Sequence, residues 1–536
     1  MSRPLTEIST FMPLKCWLGE GSATNGIKLR LFWDKIRLRE RGESECHNMT
    51  AVTPFFQAFG ALLFGRPPKK ALQQVRRASS LGELYELFGE LLPDRLLAAS
   101  DRGDNSRERV FTPKVTFWAF VSQVFDVGSS CRDVVRKVEA WWRWASKDRC
   151  GKQALTPSAY CQARARLDMQ TLRLIGSHLT WSLERRVTRA QLWLGRKVKI
   201  VDGTGLSMPD TPANQRCWPQ PTTQKEGCGF PCMKLVGIFS LASGGLEDYA
   251  TGTLHQHESL LFRSLWEKLD ADDVMLGDRG FCSYAALARL AQRKVDCVMR
   301  LHAARKVSFR EGRRLGKDDR LVTWSKPAQR STDWSVEEWA ALPKELQVRV
   351  IRFPVSVPGY RTQEVTLVTT LTDAVTYPAG ELCALYARRW GVELHFHQIK
   401  ILLGLDILRC KSPELVEKEV LMHVIAYNLI RLLMQEASST HGAELSRLSF
   451  KGALDTVRHF ASAIHAARAT PRRQDALIEE LLAIIASDLV PERPGRSEPR
   501  AKKRRPKNYH LLTQPRSEMT VPSHRNRPQP QIRKAA

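Results

Sequence analysis

An acidic residue shares one predicted helix with two cations and a phenol. Tyr386, Arg389, Glu393 and Lys400 follow one another at intervals of three, four and seven residues. At about 100° per residue, these intervals place the four side chains in one stripe roughly 60° wide. A surface ladder of ion pairs is one interpretation, because Arg389 and Glu393 are an i,i+4 pair. The other is a catalytic acid flanked by groups that bind phosphate.

Two aspartates elsewhere in the chain favour the catalytic interpretation. Asp202 follows the short β-branched run Lys197–Val201 and stands in a glycine-rich turn, and Asp278 follows the run Val274–Leu276 in the same way. Either aspartate alone would be explained as a turn former or a helix cap. Together with Glu393, however, they form a suitable set of oxygen ligands for Mg²⁺. The sequence therefore predicts Asp202, Asp278 and Glu393 as catalytic ligands of two Mg²⁺ ions, with Mn²⁺ as an alternative metal, acting in phosphoryl transfer.

The overall charge favours a polyanionic partner. The chain has 83 Lys and Arg residues against 56 Asp and Glu, a formal net charge of +27. Such an excess of positive charge favours binding to nucleic acid, because each neutralised phosphate releases condensed counterions. No apolar run reaches the ~18–20 residues of a membrane helix, and the sequence has no amphipathic basic helix or lipidation signal. We expect a cytoplasmic, nucleoid-associated protein that does not bind membranes.

Other residues with ligand chemistry have simpler explanations. Cys217, Cys228 and Cys232 form the one cysteine cluster, but a C-x3-C spacing without a second pair is better explained by reduced thiols than by zinc. His395 and His397 lie close to Glu393. His397 projects near the same face, where a contact to metal or DNA competes with the simpler explanation that its polar ring is satisfied locally.

The order of predicted elements around the acids is three strands, a helix, a strand, a helix and a strand. This order is typical of an α/β RNase H-like fold, and it places Asp202 after the first strand and Asp278 after the fourth. The predicted elements are Lys197–Val201, Met233–Leu241, Asp248–Leu254, the helix Glu258–Leu269, Val274–Leu276, the helix Ser283–Arg293 and Asp296–Leu301. A longer helix, Leu382–Leu403, would carry Glu393.

The remaining segments give the domain organisation. Residues 1–70 are an N-terminal extension of uncertain nature, within which Met49 is a candidate true start. The tail has thirteen Lys and Arg residues against three Asp and Glu, a balance of 13 − 3 = +10, and reads as a flexible basic segment. We predict a helical DNA-binding region at 71–190, the core at 191–302, a β-rich insertion at 303–376, the final core helices at 377–437, a helical region at 438–490 and the basic tail at 491–536.

These motifs resemble those of a known enzyme family. The spacing Tyr386-x2-Arg389-x3-Glu393-x6-Lys400 matches the Y-R-E-K signature of the family-four insertion-sequence transposases, which belong to the DDE group. The stretches VDGTGLSMPDT (201–211) and LGDRGFCSY (276–284) resemble the surroundings of the two catalytic aspartates of that family. Two N-terminal stretches, 112–125 and 156–167, resemble its N-terminal region, and the resemblance spans about residues 75–515.

The resemblance implies a cut-and-paste DNA transposase that binds the terminal inverted repeats of its element. Water activated by metal would cleave one strand at the element's end. The freed 3′-hydroxyl would attack the opposite strand, forming a hairpin in the relatives that work this way, and after the hairpin is reopened the 3′ end would be joined to target DNA. By position, Tyr386, Arg389 and Lys400 would contact the DNA backbone near the cut. Family members also flip a base onto an aromatic residue, for which the candidates are Trp324, Trp334 and Trp339 in the insertion and Trp390 next to Arg389.

Two other functions compete with this interpretation. An RNase H-like nuclease or resolvase would cut DNA without joining it, and a decayed or domesticated copy would only bind the terminal repeats. The Y-R-E-K match argues against the first, and the presence of all three acids argues against the second. Because transposition holds two DNA ends together, we also expect a homodimer on DNA.

Overall fold

The computed structural model describes most of the chain beyond residue 110. The described residues are Phe88, 110–145, 155–302, 304–354, 364–467, 470–491, 512–515 and 518–519. The predicted extension at 1–70, with Met49, lies outside them, as does almost all of the basic tail at 491–536. None of the helices within the described residues has the length and apolar character needed to cross a membrane.

Nine strands form one mixed sheet. In sheet order they run β3-β2-β1-β4-β5-β9-β8-β7-β6. Strand β1 pairs antiparallel with β2 and parallel with β4, and β4 is parallel to β5. The remaining strands continue antiparallel from β5. The strands are β1 Val198–Ser207, β2 Cys232–Ser240, β3 Leu246–Thr253, β4 Val274–Gly277, β5 Asp296–Arg300, β6 Arg313–Gly316, β7 Asp319–Ser325, β8 Glu345–Pro354 and β9 Glu364–Thr369.

Several helices begin at residues whose side chains cap the first turn. Thr112, Thr156 and Asp168 each accept a backbone N–H three residues later, which satisfies one otherwise unpaired donor of the first turn. The helices are α1 Pro113–Phe125, α2 Cys131–Ala145, α3 Pro157–Arg166, α4 Met169–Arg185, α5 Pro212–Cys217, α6 Glu258–Arg263, α7 Tyr284–Gln292, α8 Val336–Ala340, α9 Ala379–Arg388, α10 Gly391–His397, α11 Pro413–His441, α12 Phe450–Ala466 and α13 Pro471–Ser487.

Helices cover both faces of the sheet around the first half of β1, so this part of the strand is buried on two sides. Ile200 and Val201 are neighbours on β1, yet they belong to two different apolar clusters, because successive side chains of a strand point to opposite faces. Phe262 of α6 and Leu287 of α7 pack in the cluster of Val201. The 29-residue helix α11 is buried over most of its length and packs in the cluster of Ile200.

The first strand is longer than the sequence predicts. The apolar run ends at Val201, but β1 continues through Asp202 to Ser207, paired with β2 along its length. The expectation that Asp202 stands in a turn after the strand is therefore wrong. Cross-strand hydrogen bonding extends the strand beyond its apolar residues, and the small residues Gly203 and Gly205 fit the pleat without a turn.

The predicted helix Leu382–Leu403 is interrupted. Helix α9 ends at Arg388 and α10 begins at Gly391, with Arg389 and Trp390 still in right-handed helical conformation between them. A π-helical turn, Gln398–Leu402, then ends the segment. The regular 100° projection therefore holds approximately from Tyr386 to His397, but not onward to Lys400.

The predicted β-rich insertion extends the central sheet. Residues 303–376 contribute β6 to β9 and the short helix α8. Strand β9 pairs directly with β5, so the insertion's strands and those of the acids share one hydrogen-bonded sheet. A rigid connection between the two parts follows from this pairing.

Candidate active site

The two aspartates lie side by side, Asp202 on β1 and Asp278 directly after β4. Val201 on β1 is paired with Gly277 on β4 in parallel register, so Asp202 and Asp278, the next residues along the chain, stand at the same level. The pKa of Asp202 is raised to about 6, chiefly because the carboxyl group is buried, and Asp278 raises it further. A hydrogen bond from the Gly203 N–H to Asp202 Oδ1, 2.8 Å long, opposes this effect. Two adjacent carboxylates of this kind would be stabilised by a cation.

Arg389 connects the helix α9–α10 segment to these aspartates. Its guanidinium Nη1 lies 3.8 Å from Asp202 Oδ2, and only 6% of the residue is exposed. The ion pair of Arg389 is therefore with Asp202, whereas the surface-ladder interpretation requires one with Glu393. The guanidinium carbon also lies 5.6 Å from the centre of the Tyr386 ring and 6.0 Å from that of Trp390.

Two buried polar atoms at this point have no hydrogen-bond partner among the described residues. They are the hydroxyl oxygen of Tyr386 and Nε of Arg389. Burial raises the pKa of Tyr386 to about 12, with Arg389 lowering it and Asp278 raising it. A buried donor without an acceptor is costly. A phosphate oxygen beside the aspartates would satisfy such donors.

Glu393 is exposed on α10, one helical turn beyond Arg389. Within the described part of the chain, no three His, Cys, Asp or Glu side chains are close enough together to hold a metal ion. The structure thus brings Asp202 and Asp278 together but does not close a three-carboxylate site around them. The donor chemistry still fits a hard divalent cation, because the paired aspartates offer carboxylate oxygens whose charge is only partly balanced by Arg389.

Lys400 ties the π-helical turn to β1. Its Nζ donates to Thr204 Oγ1 at 2.9 Å and to the Gly205 carbonyl at 3.0 Å, and it lies 3.0 Å from Asp406 Oδ1. The Y-R-E-K segment is therefore fastened to the strand of Asp202 at two points, by Arg389 and by Lys400.

Two residues near the aspartates were missed by the sequence analysis. Glu258, the first residue of α6, contributes to the raised pKa of Asp202, and its carboxyl carbon lies 2.8 Å from where a Cβ on Gly203 would be. Arg300, the last residue of β5, lies close enough to Tyr386 to affect its pKa. No motif marks either residue, because only the pairing of strands brings them to the site.

The tryptophans suggested as stacking partners differ in their access. Trp324 and Trp334 are 6% and 8% exposed, and the guanidinium groups of Arg305 and Arg263 lie 4.0 and 4.3 Å from their ring centres. Trp390 is half-buried beside Tyr386 and Arg389. Of the tryptophans proposed from sequence, Trp390 thus lies within the Y-R-E-K segment itself, whereas the rings of Trp324 and Trp334 already pack against arginines.

The histidines near Glu393 have different environments. The His395 ring stacks on Phe239 at 5.5 Å, and its Nδ1 lies 3.0 Å from the hydroxyl of Tyr427. Burial of the ring lowers the pKa of His395 to about 3, so the imidazole is neutral. His397 is exposed. The cysteines Cys217, Cys228 and Cys232 are free thiols.

Residues 193–429, which hold both aspartates and the whole Y-R-E-K segment, match the family model described as "Transposase DDE domain". The transposase InsG of insertion sequence element IS4 from Escherichia coli (strain K12) is 27% identical over 446 residues, covering 82% of this chain and 97% of that protein. This chain belongs to the DDE transposases of the family-four insertion sequences. It is an enzyme of DNA transposition that cleaves DNA and transfers strands, and enzymes of this family generally use divalent metal ions.

Shorter and more distant similarities exist for this transposase. The putative transposase InsL of element IS186A from Escherichia coli (strain K12) is 38% identical over 71 residues, 13% of this chain and 19% of that protein. Among solved structures, the cryo-EM structure of a piggyBac transposase synaptic complex with hairpin DNA aligns with 80% of this chain and 87% of its own, at 11% identity and a TM-score of 0.38. A TM-score of 0.38 is too low to show that the two proteins share a fold.

Proposed function

We propose that this transposase performs cut-and-paste transposition with Asp202, Asp278 and Glu393 as the ligands of two Mg²⁺ ions. The observation that carries the proposal is the contact of Arg389 with Asp202, with unpartnered donors of Arg389 and Tyr386 at the same point. The carboxylate of Asp202 thus lies beside donors that are suited to a phosphate, which supports the proposal. Bound there, the ions would activate the attacking oxygen and stabilise the leaving one, and Mn²⁺ would serve as a substitute.

The protein's own residues hold the DNA. Arg389 Nε and the Tyr386 hydroxyl donate hydrogen bonds to non-bridging oxygens of the phosphate next to the cut, and Arg300 adds a second cation at the end of β5. Lys400 holds the helix against β1 and lies beside the same backbone. Trp390 offers a partly exposed ring to an unstacked base at the end of the element.

Two phosphoryl-transfer steps at this site begin and complete the reaction, and between them a phosphodiester of the opposite strand must also be cut to release the element. In the first, water displaces the 3′ oxygen at the element's end and leaves a 3′-hydroxyl and a 5′-phosphate. In the second, that 3′-hydroxyl attacks a phosphodiester of the target and releases the target's own 3′-hydroxyl. Both steps need a held phosphate and an activated oxygen, so one set of residues serves both.

We further propose that the helical region 71–190 binds the terminal inverted repeats and that two copies of the chain hold the two ends together. Such a complex would act on the bacterial nucleoid in the cytoplasm. The homodimer follows from the need to cut and join two ends in concert. Full activity of a complex with one protein chain and one DNA end would contradict it.

A strand-transfer assay separates the proposal from a nuclease. A labelled duplex with the element's pre-cut 3′ end is incubated with the protein, Mg²⁺ and supercoiled plasmid. We expect the label to become covalently attached to the plasmid. Cleavage of an uncut end without any attachment of the pre-cut end would identify a nuclease, and binding with neither reaction would identify a decayed copy.

A further inference from the structure

An exposed cationic hairpin stands at the far edge of the sheet. We define it as residues 304–320, which comprise the approach to β6, β6 itself and the start of β7. It has seven Lys and Arg residues against three Asp and Glu, a balance of 7 − 3 = +4. Arg313, Arg314 and Lys317 are exposed, and none of the three forms an ion pair within the described residues. Its acid Asp319, by contrast, is buried in an ion pair with Arg349.

The strand register places this hairpin at the level of the catalytic aspartates. Gly277 on β4 is paired with Met299 on β5, and the next residues along the chain are Asp278 and Arg300. From Arg300 the antiparallel pairs continue through Leu367, Ile351 and Asp319 to Gly316, the residue before Lys317. One row across the sheet therefore leads from the aspartates to the hairpin turn.

The length of this row gives a distance along DNA. Five strand-to-strand steps separate β4 from β6 in the sheet order. At about 4.8 Å per step, they span about 24 Å. Successive base pairs of a duplex are about 3.4 Å apart along the axis, so the row equals about seven base pairs.

We propose that the cationic hairpin binds the phosphate backbone of duplex DNA about seven base pairs from the cleaved phosphate. The inference rests on the proposed function, because the distance is counted from Asp278 as a catalytic residue. These cations would contact phosphates rather than base edges, so they would not recognise a sequence. The phosphate contact would instead orient the duplex relative to the sheet. The duplex is either the element's own end or the DNA on the other side of the cut.

Edge protection is the competing explanation for these cations. An exposed edge strand such as β6 can pair with another chain, and charged side chains discourage this. Both explanations predict exposed cations on β6. They differ in the effect of removing the charges. If the hairpin binds DNA, the protein loses DNA affinity, whereas if the charges protect the edge strand, it loses solubility.

The test compares two triple variants. The hairpin variant carries Arg313→Gln, Arg314→Gln and Lys317→Gln. The control carries Arg289→Gln, Lys294→Gln and Lys344→Gln. These three residues are also exposed, and Lys294 and Lys344 precede the interior strands β5 and β8, at the ends of those strands that lie away from the row of the aspartates.

Affinity is measured without metal, so that no cleavage occurs, over a range of salt concentrations. Each duplex contains the element's end with its cut site. The long duplexes extend about 15 base pairs on both sides of the cut, and each short duplex is cut back to about 4 base pairs on one side only. On the long duplexes, the salt slope of the hairpin variant should fall by about 2–3, at about 0.9 per lost phosphate contact. The control should keep the wild-type slope.

The truncations identify the bound side. The hairpin variant and wild type should differ in DNA affinity on the long duplexes. This difference should disappear when the side that the hairpin binds is shortened to about 4 base pairs. An unchanged salt slope on the long duplexes, or a deficit that persists on both short ones, would overturn the inference. Aggregation of the hairpin variant with unchanged DNA affinity would instead establish edge protection. Because binding is read without cleavage, failure here is separate from failure of the proposed active site.

Discussion

Charge balance around Asp202 dominates the chemistry at the scale of single residues. Burial and the neighbouring carboxylates of Asp278 and Glu258 oppose its ionisation, and the facing cation Arg389 lies 3.8 Å away and is therefore only a partial counter-charge. A divalent cation between the aspartates would remove this conflict. The Tyr386 hydroxyl and Arg389 Nε would then be available to donate hydrogen bonds to a DNA phosphate.

Metal binding should depend on pH through Asp202. Its carboxyl group must lose a proton to bind metal, and its pKa is about 6. Below that value, Mn²⁺ affinity should rise about tenfold per pH unit, and it should level off above about pH 7. Titration of the DNA-free protein, followed by Mn²⁺ electron paramagnetic resonance, measures this. Affinity that stays constant from about pH 5 to about pH 7 would contradict the assignment of Asp202, and Asp202→Asn should remove the dependence.

Glu258 should strengthen metal binding without being required for the fold. Its carboxylate lies over Gly203 and adds negative potential at Asp202. Glu258→Gln should weaken Mn²⁺ binding by about three- to tenfold, corresponding to ~1 kcal/mol of interaction between nearby charges. Glu267→Gln is the matched control, because Glu267 is exposed and pairs with Arg293. Equal affinities of the two variants would show that Glu258 does not act on the site.

The sequence predicts the three acids from their local surroundings. Asp202 and Asp278 each follow a short apolar run, and the spacing from Tyr386 to Glu393 marks one helix face. Glu258 and Arg300 could not be found in this way, because they approach Asp202 and Tyr386 only through tertiary contacts. The position of Asp202 inside β1 was also missed, since pairing with β2 determines where that strand ends.

At the scale of elements, the β-rich insertion is joined firmly to the core. Arg349 on β8 forms a buried ion pair with Asp319 on β7 and also donates to the carbonyl of Tyr377, which precedes α9. The sequence predicted strands in this segment but not their pairing with β5. A pairing between β5 and β9 joins residues about seventy positions apart, and local patterns carry no information about such contacts.

Asp319→Ala should destabilise the protein strongly. Removing one member of a buried ion pair leaves Arg349 charged and unpaired, which costs about 3–5 kcal/mol in the free energy of unfolding. Urea denaturation measures the change. Asp318→Ala is the control: its side chain is half-buried and only its backbone carbonyl accepts a bond, from Arg352. If both variants unfolded at the same urea concentration, the buried ion pair between β7 and β8 would not stabilise the fold.

At the scale of the whole molecule, one sheet links Asp202 and Asp278, the proposed catalytic aspartates, to the cationic hairpin. The net charge of +27 is sufficient to attract DNA without sequence preference. The sheet determines where on the DNA that attraction acts, because a row of paired residues connects Asp278 to the hairpin across five strand-to-strand steps. We infer that the duplex lies along this row, with its cleaved phosphate at the aspartates.

Cleavage of the element's own end by wild type and by Glu393→Gln is the most direct test of the active site. The substitution keeps the size of the side chain but removes the charge that metal binding needs. Glu381→Gln, at an exposed position on α9, is the matched control. With a labelled duplex and Mg²⁺, wild type and Glu381→Gln should nick at the end, whereas Glu393→Gln should bind the duplex normally and cut at least a thousandfold more slowly, a loss of about 4 kcal/mol in transition-state stabilisation. Equal cleavage by Glu393→Gln and wild type would show that Glu393 is only a surface residue and that the three-carboxylate site is wrong.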